Sequence, residues 1–494
     1  MRKILLLVLM LAIVVGTQYM IAQERADVVV SHERLSGNPV DRYAAVGTPR
    51  GVVLVAHGFA ASKKLMQPWG YALARQGFDV YIFDQPGHGE HPSSLQAWSG
   101  LSQNPLGANL RAMVAELIRT GRAQPGKVAL VGHSMGGVTV LAAGLEESAV
   151  AATVTLSAAY SDPLPPDRPA HLLSLVAERD PGSIRATAAA LAPQSESRKT
   201  VDVPARNHIT ILYDQEVMDQ VAAWIHRALG SQKPGPVGTA APWNWILLAL
   251  AGGLGALLAV AWLLIPPEVR TTGRVRPLGF LTGLIALSVA SLSAVLAAVY
   301  LRLPWVGVAV LDYLLPYFAV AAAVLYVLRW LWPRDFGFAL TQGADTVESA
   351  LVRGMGVALA YLGAVVPVIH MNLAYHMPTL PRLLPLMLSA LILWLYFVQE
   401  EGLKRAVAAE WGSLGALVLG LLGKGVIIGT WLAATALPNP PTFLTLTVPV
   451  TVVVLAVLEV LSAILSRMRY SSAASATLNA VVLSWAMAVT FPLV

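Results

Sequence analysis

A serine lies at the centre of the segment that is best suited to covalent chemistry. Residues 128–137 read Val-Ala-Leu-Val-Gly-His-Ser-Met-Gly-Gly, an apolar strand that runs into Gly-x-Ser-x-Gly and then into a predicted helix. On such a sharp turn the hydroxyl of Ser134 is exposed at the carboxyl edge of a sheet, where it can attack a carbonyl carbon. The five-residue pattern alone is weak in a chain with 40 glycines. The flanking strand and helix make it much more specific.

Two backbone N–H groups are predicted to stabilise the oxyanion that such an attack creates. Strand 52–56 ends in His57-Gly58, so the N–H of the next residue, Phe59, can point at the developing negative charge. The N–H of Met135, directly after the nucleophile, supplies the second donor.

A second glycine-rich turn follows the predicted strand 79–83 and reads Asp-Gln-Pro-Gly-His-Gly over residues 84–89. Together with Gly-His-Ser-Met-Gly-Gly, it resembles the α/β-hydrolase superfamily, in particular the monoacylglycerol-lipase and lysophospholipase-like branch. The resemblance covers about residues 43–229. It implies an α/β-hydrolase fold with a mostly parallel sheet, and it favours carboxylic esters as substrates. A serine mechanism of this kind requires no metal or organic cofactor.

The resemblance also implies an acid and a base, in the chain order serine, acid, histidine. Asp180 lies in a Glu-x-Asp-Pro turn after strand 172–176, and His208 precedes a final predicted helix, where this family places its histidine. Asp162, just after the preceding strand, remains an alternative acid. Asp180 could instead simply cap a helix that begins at Pro181.

Three other histidines and a lysine pair near these turns are predicted to have structural or surface roles and not catalytic ones. His57, His88 and His133 are predicted to be structural polar residues that line the site. Lys63 and Lys64 are predicted to lie on a solvated face.

The region from residue 27 to residue 230 must position these groups, and it alternates β-rich and helix-length runs, as an α/β fold with a mostly parallel sheet does. Only residues 159–170, which include four prolines, connect strands 152–156 and 172–176. That connection leaves no room for the helical cap of this branch, so the site should be open unless something else covers it. The predicted strands are Val28–Val30, Val52–Ala56, Asp79–Phe83, Val128–Val131, Ala152–Leu156 and Leu172–Val176; the predicted helices include Leu106–Thr120, Val138–Ser148 and Gln215–Leu229.

The rest of the chain is predicted to be a membrane domain. Charged residues make up 13% of the sequence, about half the usual share in a soluble protein, and they become sparser after residue 240. Residues 1–26 have the pattern of an uncleaved signal anchor, residues 231–242 of a Pro/Gly-rich linker, and residues 243–494 of an all-α transmembrane bundle. Its eight predicted spans are approximately Trp243–Ile265, Leu278–Tyr300, Val306–Leu328, Gly354–Ala374, Leu384–Val398, Leu414–Ala436, Leu444–Leu465 and Ala473–Val494.

Positive charge predicts the orientation of these nine spans. If the N-terminus is cytoplasmic, twelve Lys and Arg residues fall on the inner side, whereas only Arg302 and Arg382 fall in the outer loops of the membrane domain. The α/β domain is therefore predicted to be extracytoplasmic, on a multi-pass protein of the cell membrane. The twelve inner residues are Arg2, Lys3, Arg270, Arg274, Arg276, Arg329, Arg334, Arg353, Lys404, Arg405, Arg467 and Arg469.

The membrane domain holds ionisable residues that have two interpretations. Asp312, His370, Lys424 and Glu459 either pair within the bundle or form a transport or proton-relay path; pairing is the simpler interpretation. Residues 400–405 match Glu-Glu-x-x-x-Arg, the first motif of the intramembrane CAAX-type proteases, but no histidine follows His376 to complete that chemistry. A charged loop at a cytoplasmic helix end explains these residues adequately.

The sequence therefore predicts a membrane-anchored serine hydrolase of carboxylic esters, most simply of lipid acyl esters. Acyl transfer or amide cleavage by the same triad remains an alternative, as does a transporter or assembly protein whose hydrolase-like domain only binds. The absence of cysteine excludes disulfides and thiolate catalysis. The lack of a basic run with interleaved aromatics makes nucleic acid a poor partner. We also expect the mouth near Ser134 to face the bilayer, with loops such as 301–305 and 377–381 in place of the cap.

Overall fold

The computed structural model describes residues 1–97, 100–101, 103–160, 162–165, 167–189, 197–238, 241–265, 277–333, 346–437 and 442–494. These residues form two compact units. The sheet unit comprises Val15–Ala249, Val368–Met377 and Thr490–Val494, and the helical unit comprises Met1–Val14, Leu250–Pro367 and Pro378–Val489. The sheet unit thus extends beyond the predicted 27–230 and takes in two short segments from the second half of the chain.

The sheet unit has an α/β-hydrolase fold with eight strands in the order β1-β2-β4-β3-β5-β6-β7-β8. The pairs β1/β2 and β2/β4 are antiparallel, and all other neighbouring pairs are parallel. The strands are β1 (Val30–Leu35), β2 (Asn38–Tyr43), β3 (Val52–Ala56), β4 (Asp79–Phe83), β5 (Val128–His133), β6 (Val150–Leu156), β7 (Leu172–Ala177) and β8 (Arg198–Val203).

Continuous apolar strands lie at the centre of this sheet because helices cover both of its faces. Every residue of β3, β4 and β5 is buried, and two separate apolar clusters lie on opposite sides of the sheet. The described residues between β6 and β7 contain no helix. The helices of the unit are α2 (Gln67–Arg75), α3 (Pro105–Arg119), α4 (Met135–Glu146), α5 (Gly182–Ala189) and α6 (Gln215–Ala228), and α1 (Arg2–Glu24) ends in it.

The edges of the sheet differ from the prediction. The strand expected at 28–30 begins at Val30 instead, and β2 and β8 were not predicted. Ser36 and Gly37 have φ values of 47° and 80° and join β1 to β2 by a two-residue turn. Positive φ at both central residues is what such a hairpin turn requires.

The helical unit contains most of the apolar helices. Among the described residues, eight helices are long and apolar enough to cross a membrane. The helices beyond residue 240 are α7 (Trp243–Leu263), α8 (Phe280–Tyr300), α9 (Leu311–Leu331), α10 (Val347–Ala364), α11 (Val366–Asn372), α12 (Leu383–Ala434), α13 (Thr442–Arg467) and α14 (Ser472–Thr490). The predicted inner residues Arg270, Arg274, Arg276 and Arg334 lie outside the described residues.

Helix α12 is a hairpin that turns at Gly412. Gly412 has φ 70° and ψ −179°, which interrupts the helix. The side chains of Glu400 and Lys424 form an ion pair although they are 24 residues apart. A straight helix would separate them by about 36 Å, so the two arms must run back along each other. The prediction of a charged loop at residues 400–405 is therefore wrong, because these residues lie in the first arm and the chain turns seven residues beyond Arg405, at Gly412.

Candidate active site

The turn that carries Ser134 has the geometry of a nucleophile elbow. Ser134 adopts φ 53° and ψ −117° between β5 and α4, a strained backbone that points the side chain away from both elements. Its glycine neighbours are required by close backbone contacts. A Cβ on Gly132 would lie 2.1 Å from the carbonyl oxygen of Gly136, and a Cβ on Gly136 would lie 2.3 Å from that of Ala56. Strand β3, strand β5 and helix α4 can approach this closely only without side chains.

A continuous hydrogen-bonded chain links Ser134, His208 and Asp180. His208 Nε2 lies 3.0 Å from Ser134 Oγ, and His208 Nδ1 lies 2.8 Å from Asp180 Oδ1. The three residues follow β5, β8 and β7, whose carboxyl ends meet at one edge of the sheet. The Asp180 side chain is fully buried and that of His208 is 12% exposed. The structure thus brings the three predicted residues together, with the base between the nucleophile and the acid.

Asp180, rather than the alternative Asp162, reaches the histidine. Asp162 Oδ2 instead accepts a hydrogen bond of 2.5 Å from the backbone N–H of Leu101. Burial raises the pKa of the Asp180 carboxyl, but hydrogen bonds from His208 and Ser157 outweigh burial and hold the pKa below its usual value. Asp180 is therefore ionised at neutral pH and can stabilise a positive charge on the imidazole.

Ser157 is a site residue that the sequence prediction missed. Its hydroxyl donates a 2.5 Å hydrogen bond to Asp180 Oδ2, and the backbone N–H of Ala177 donates to the same oxygen at 2.8 Å. Ser157 follows strand β6 directly and has a φ of 50°. Its position could have indicated a role in the site, because it is a polar residue at the carboxyl end of a central strand.

The two predicted oxyanion donors belong to backbone segments next to the nucleophile. Met135 is the first residue of α4, where backbone N–H groups have no acceptor within the helix. Phe59 follows Gly58, and a Cβ on Gly58 would lie 3.1 Å from the Cβ of Ser134. The backbone before Phe59 therefore passes directly beside the nucleophile, as an oxyanion donor must.

The histidines next to these residues are buried and neutral. Burial lowers the pKa of His57 to about 4 and that of His133 to about 3. His57 Nε2 accepts from the N–H of Gln85, which leaves Nδ1 to donate to the carbonyl of Gly58. His133 Nε2 donates to the carbonyl of His208 at 2.8 Å. Both rings thus support the backbone of the site, in agreement with their predicted structural role.

The prediction for Lys63 is wrong, because this residue is not on a solvated face. Its side chain is 2% exposed, and Nζ lies 3.0 Å from Asp41 Oδ1 and 2.8 Å from Glu90 Oε2. Asp84, which is fully buried beside it, accepts from the backbone N–H groups of Lys63 and Glu90. Burial raises the pKa of Asp84 to about 6, against the opposing effect of Lys63. A buried charged residue of this kind requires its partners, since an unpaired charge there would be costly.

A second buried ionic cluster lies in the helical unit. Lys404 Nζ lies 2.6 Å from Glu401 Oε1 and 2.6 Å from Glu459 Oε1, and Lys424 pairs with Glu400. The expectation that residues 400–405 form a charged loop is therefore wrong. Asp312 pairs with Arg302 at 3.0 Å, and Lys424 lies 3.5 Å from Glu459 Oε2. These ionisable residues thus pair as the simpler interpretation expects, whereas His370 belongs to the sheet unit.

Among the residues that the structure describes, no three His, Cys, Asp or Glu side chains are grouped so that they could hold a metal ion.

A known protein family matches part of the sheet unit. A hydrolase family described as serine aminopeptidase, S33, matches residues 47–209, a segment that contains Ser134, Asp180 and His208. A putative carbamate hydrolase, RutD, of Variovorax paradoxus (strain S110) is 32% identical over 111 residues, which are 22% of this chain and 39% of that protein. The match therefore spans well under half the length of this relative.

Among solved structures, TT1662 from Thermus thermophilus is similar with a TM-score of 0.33 and 20% identity, over 42% of this chain and 99% of that one. A membrane phospholipase A, described as a novel bacterial virulence factor, is similar with a TM-score of 0.32 and 17% identity, over 46% of this chain and 99% of that one.

Proposed function

We propose that this protein is a membrane-embedded serine hydrolase that cleaves carboxylic esters. The observation that carries the proposal is the hydrogen-bonded chain from Ser134 through His208 to Asp180. A strained serine at a strand-to-helix turn, with a histidine in reach and a buried carboxylate behind it, is the arrangement that activates a hydroxyl for nucleophilic attack. The matched hydrolase family supports the reaction class.

In the proposed reaction, Ser134 Oγ forms a bond to the carbonyl carbon of the ester while His208 Nε2 takes its proton. The N–H groups of Phe59 and Met135 donate hydrogen bonds to the resulting oxyanion. Asp180 accepts from His208 Nδ1 and stabilises the imidazolium. When the tetrahedral intermediate collapses, His208 returns the proton to the leaving alcohol, and water then releases the acid from the acyl-enzyme by the same steps. These steps require no metal or organic cofactor.

A lipid acyl ester is the substrate class that best fits the whole chain. The eight apolar helices would hold the site close to a bilayer, where lipid esters are concentrated. An open site without a helical cap would admit a substrate from such a surface. Amide or carbamate cleavage is the alternative that the names of the matched family and relative support.

We further propose that the sheet unit lies on the extracytoplasmic side. Four helix ends belong to this unit, namely Glu24 of α1, Trp243 of α7, Asn372 of α11 and Thr490 of α14. All four are ends that the positive-inside count places on the outer side. Lys404 and Arg405 lie in a helix and not in an inner loop, so they are left out of the count. Ten inner charges against two outer ones still remain.

A fluorophosphonate probe tests the enzymatic proposal directly. The full-length protein in detergent should be labelled, and Ser134→Ala should abolish the labelling. The matched control is Ser148→Ala, an exposed serine two residues beyond helix α4, which should be labelled like the wild type. A folded protein that reacts with no such probe would favour the alternative in which the hydrolase-like unit only binds.

Substrate class can be compared on the same preparation. Long-chain monoacylglycerol and lysophospholipid should be hydrolysed faster than short-chain nitrophenyl esters at equal concentration, and aminoacyl nitroanilides should be poor substrates. A preference for the nitroanilides would replace the ester proposal by an aminopeptidase. Transfer of the acyl group to an added alcohol in preference to water would make the protein an acyltransferase.

A further inference from the structure

The loop after strand β4 is bonded to a segment from the far end of the sequence. The N–H of Leu493 donates to the carbonyl of Gly87 at 2.8 Å, and the carbonyl of Leu493 accepts from the N–H of Leu95 at 2.7 Å. Gly87, Leu95 and Leu493 all belong to the sheet unit. A Cβ on Gly87 would lie 2.6 Å from the carbonyl oxygen of Leu493, so the glycine lets the two backbones approach. This two-bond bridge fixes the loop that carries the Asp-x-x-Gly-His-Gly sequence.

A second distant segment, Val368–Met377, is bonded to the loop after strand β3. The N–H of Tyr375 donates to Ser62 Oγ at 2.9 Å, and Gln67 Nε2 donates to the carbonyl of Met371 at 3.0 Å. Ser62 is buried and lies three residues after Phe59. The segment is held in turn by Asn372, whose Oδ1 accepts from Arg25 at 3.3 Å.

The two supported loops meet at Phe59. The His88 ring, from the loop that Leu493 braces, packs edge-on against Phe59 with 5.9 Å between ring centroids. Asp84 joins the loops a second time, since it accepts from the N–H groups of Lys63 and Glu90 at 2.8 and 3.0 Å. Two segments that lie far away in sequence are therefore bonded to the two loops that meet at the residue assigned as an oxyanion donor.

We propose that Val368–Met377 and Thr490–Val494 position the Phe59 oxyanion donor, so that full turnover depends on both segments. The inference rests on the proposed serine hydrolase function and concerns the same site. Leu493, Ser62 and Tyr375 are positioning residues here, because they act through the two loops and not on the substrate. Oxyanion donors act by fixed geometry, and a displacement of about 1 Å can cost on the order of a hundredfold in rate.

The test compares Leu493→Pro with Leu493→Ala in the full-length protein. Proline removes the N–H that bonds to Gly87, whereas alanine keeps both backbone bonds. We expect Leu493→Pro to lower kcat by at least about tenfold with KM changed less than twofold, and to slow fluorophosphonate labelling in parallel. Leu493→Ala should stay within about threefold of wild type in kcat.

Ser62→Ala is the second variant, and it decides the matter if Leu493→Pro does not accumulate as folded protein. It removes only the side-chain oxygen that accepts the Tyr375 N–H. The value of kcat should fall by a larger factor than KM changes, whereas both should stay at the wild-type values in the control Ser148→Ala. An unchanged kcat in either folded variant, with activity still abolished by Ser134→Ala, would overturn this inference alone. Activity that survives Ser134→Ala would overturn the proposed function itself.

Discussion

Ser157 donates its hydroxyl to the oxygen of Asp180 that His208 does not use. The contact is 2.5 Å long and buried. Ser157 follows strand β6, and Asp180 lies just beyond the neighbouring strand β7. The carboxylate is thus held from both sides, by the imidazole at Oδ1 and by Ser157 and the Ala177 N–H at Oδ2. Its orientation towards His208 is therefore set before any substrate binds.

The first prediction concerns this contact. Ser157→Ala removes one of two donors to Asp180 Oδ2, and a buried hydrogen bond to a charged group contributes about 1.5–3 kcal/mol. We expect kcat to fall by roughly tenfold or more, with little change in KM, because the imidazolium is less well stabilised. Steady-state kinetics on one ester checks this. Equal kcat in the variant would mean that the Ala177 N–H alone suffices.

The choice of acid gives a second prediction. Asp180→Asn should lower kcat by about 10⁴-fold, because the amide no longer favours the required imidazole tautomer. Asp162→Asn is the matched control, since Asp162 contacts the Leu101 N–H and not the histidine; it should change kcat less than threefold. A large loss in the Asp162 variant together with an active Asp180 variant would reverse the assignment.

Acid stability is the subject of the third prediction. The pKa values of His57 and His133 are lowered to about 4 and about 3, so below pH 6.5 the unfolded chain binds protons that the folded protein excludes. Stability should therefore be lost as the pH falls from about 6.5 to 4, by up to about 1.4 kcal/mol per pH unit for each histidine. Asp84, with its pKa raised to about 6, offsets the effect of one histidine.

Thermal unfolding of the wild type and His57→Gln between pH 7 and pH 4.5 tests this balance. The Tm of His57→Gln should fall less steeply with decreasing pH, because one of the excluded protons is gone. Replacement of the exposed His32 by Gln serves as control. Parallel curves for all three proteins would contradict the assignment of His57 as a buried neutral histidine.

The hairpin in helix α12 leads to the fourth prediction. Lys424→Met leaves the buried Glu400 without its cation, which costs about 3–5 kcal/mol in comparable cases. Glu400→Gln in the same chain should recover part of the lost stability, because no unpaired charge then remains. Thermal unfolding in detergent measures both variants. A single variant as stable as wild type would show that the two arms do not meet at this pair.

The fifth prediction concerns the side of the membrane on which the sheet unit lies. Because the sequence has no cysteine, an introduced cysteine is the only thiol that can be labelled. Single cysteines can be placed at Lys199 in the sheet unit and at Glu410 beside the Gly412 turn, both of which are exposed. A membrane-impermeant maleimide should label Lys199→Cys in intact spheroplasts and Glu410→Cys only after permeabilisation. The reverse pattern would invert the proposed topology.

The central strands could be predicted because apolar runs specify β3 to β7, and the carboxyl ends of parallel strands share one edge of the sheet. Asp180 and His208 were assigned through the resemblance to the α/β-hydrolase superfamily, since strand β8, which precedes His208, was not predicted. Strand β2 escaped prediction because its sequence, Asn-Pro-Val-Asp-Arg-Tyr, looks like a polar loop; its burial comes from the neighbouring strands β1 and β4.

Contacts between distant residues could not be predicted in the same way. Because charge usually indicates exposure, the sequence predicts that Lys63 and residues 400–405 are solvent-exposed. In the structure they are buried, and Lys63 and Lys404 pair with opposite charges from other parts of the chain. Nothing local in Ser157, Tyr375 or Leu493 indicates their partners. Such contacts arise only when the fold brings separate segments together.

The bridge between Gly87 and Leu493 has a consequence for biosynthesis. The two residues are 406 positions apart in the chain, and a ribosome adding about 5–20 residues per second needs tens of seconds to pass from one to the other. During that interval the α/β region can fold, but its loop lacks this brace. If Phe59 depends on that brace, as we propose, full esterase activity appears only after the later helices have been inserted. Hydrolysis would then be withheld from incompletely assembled chains.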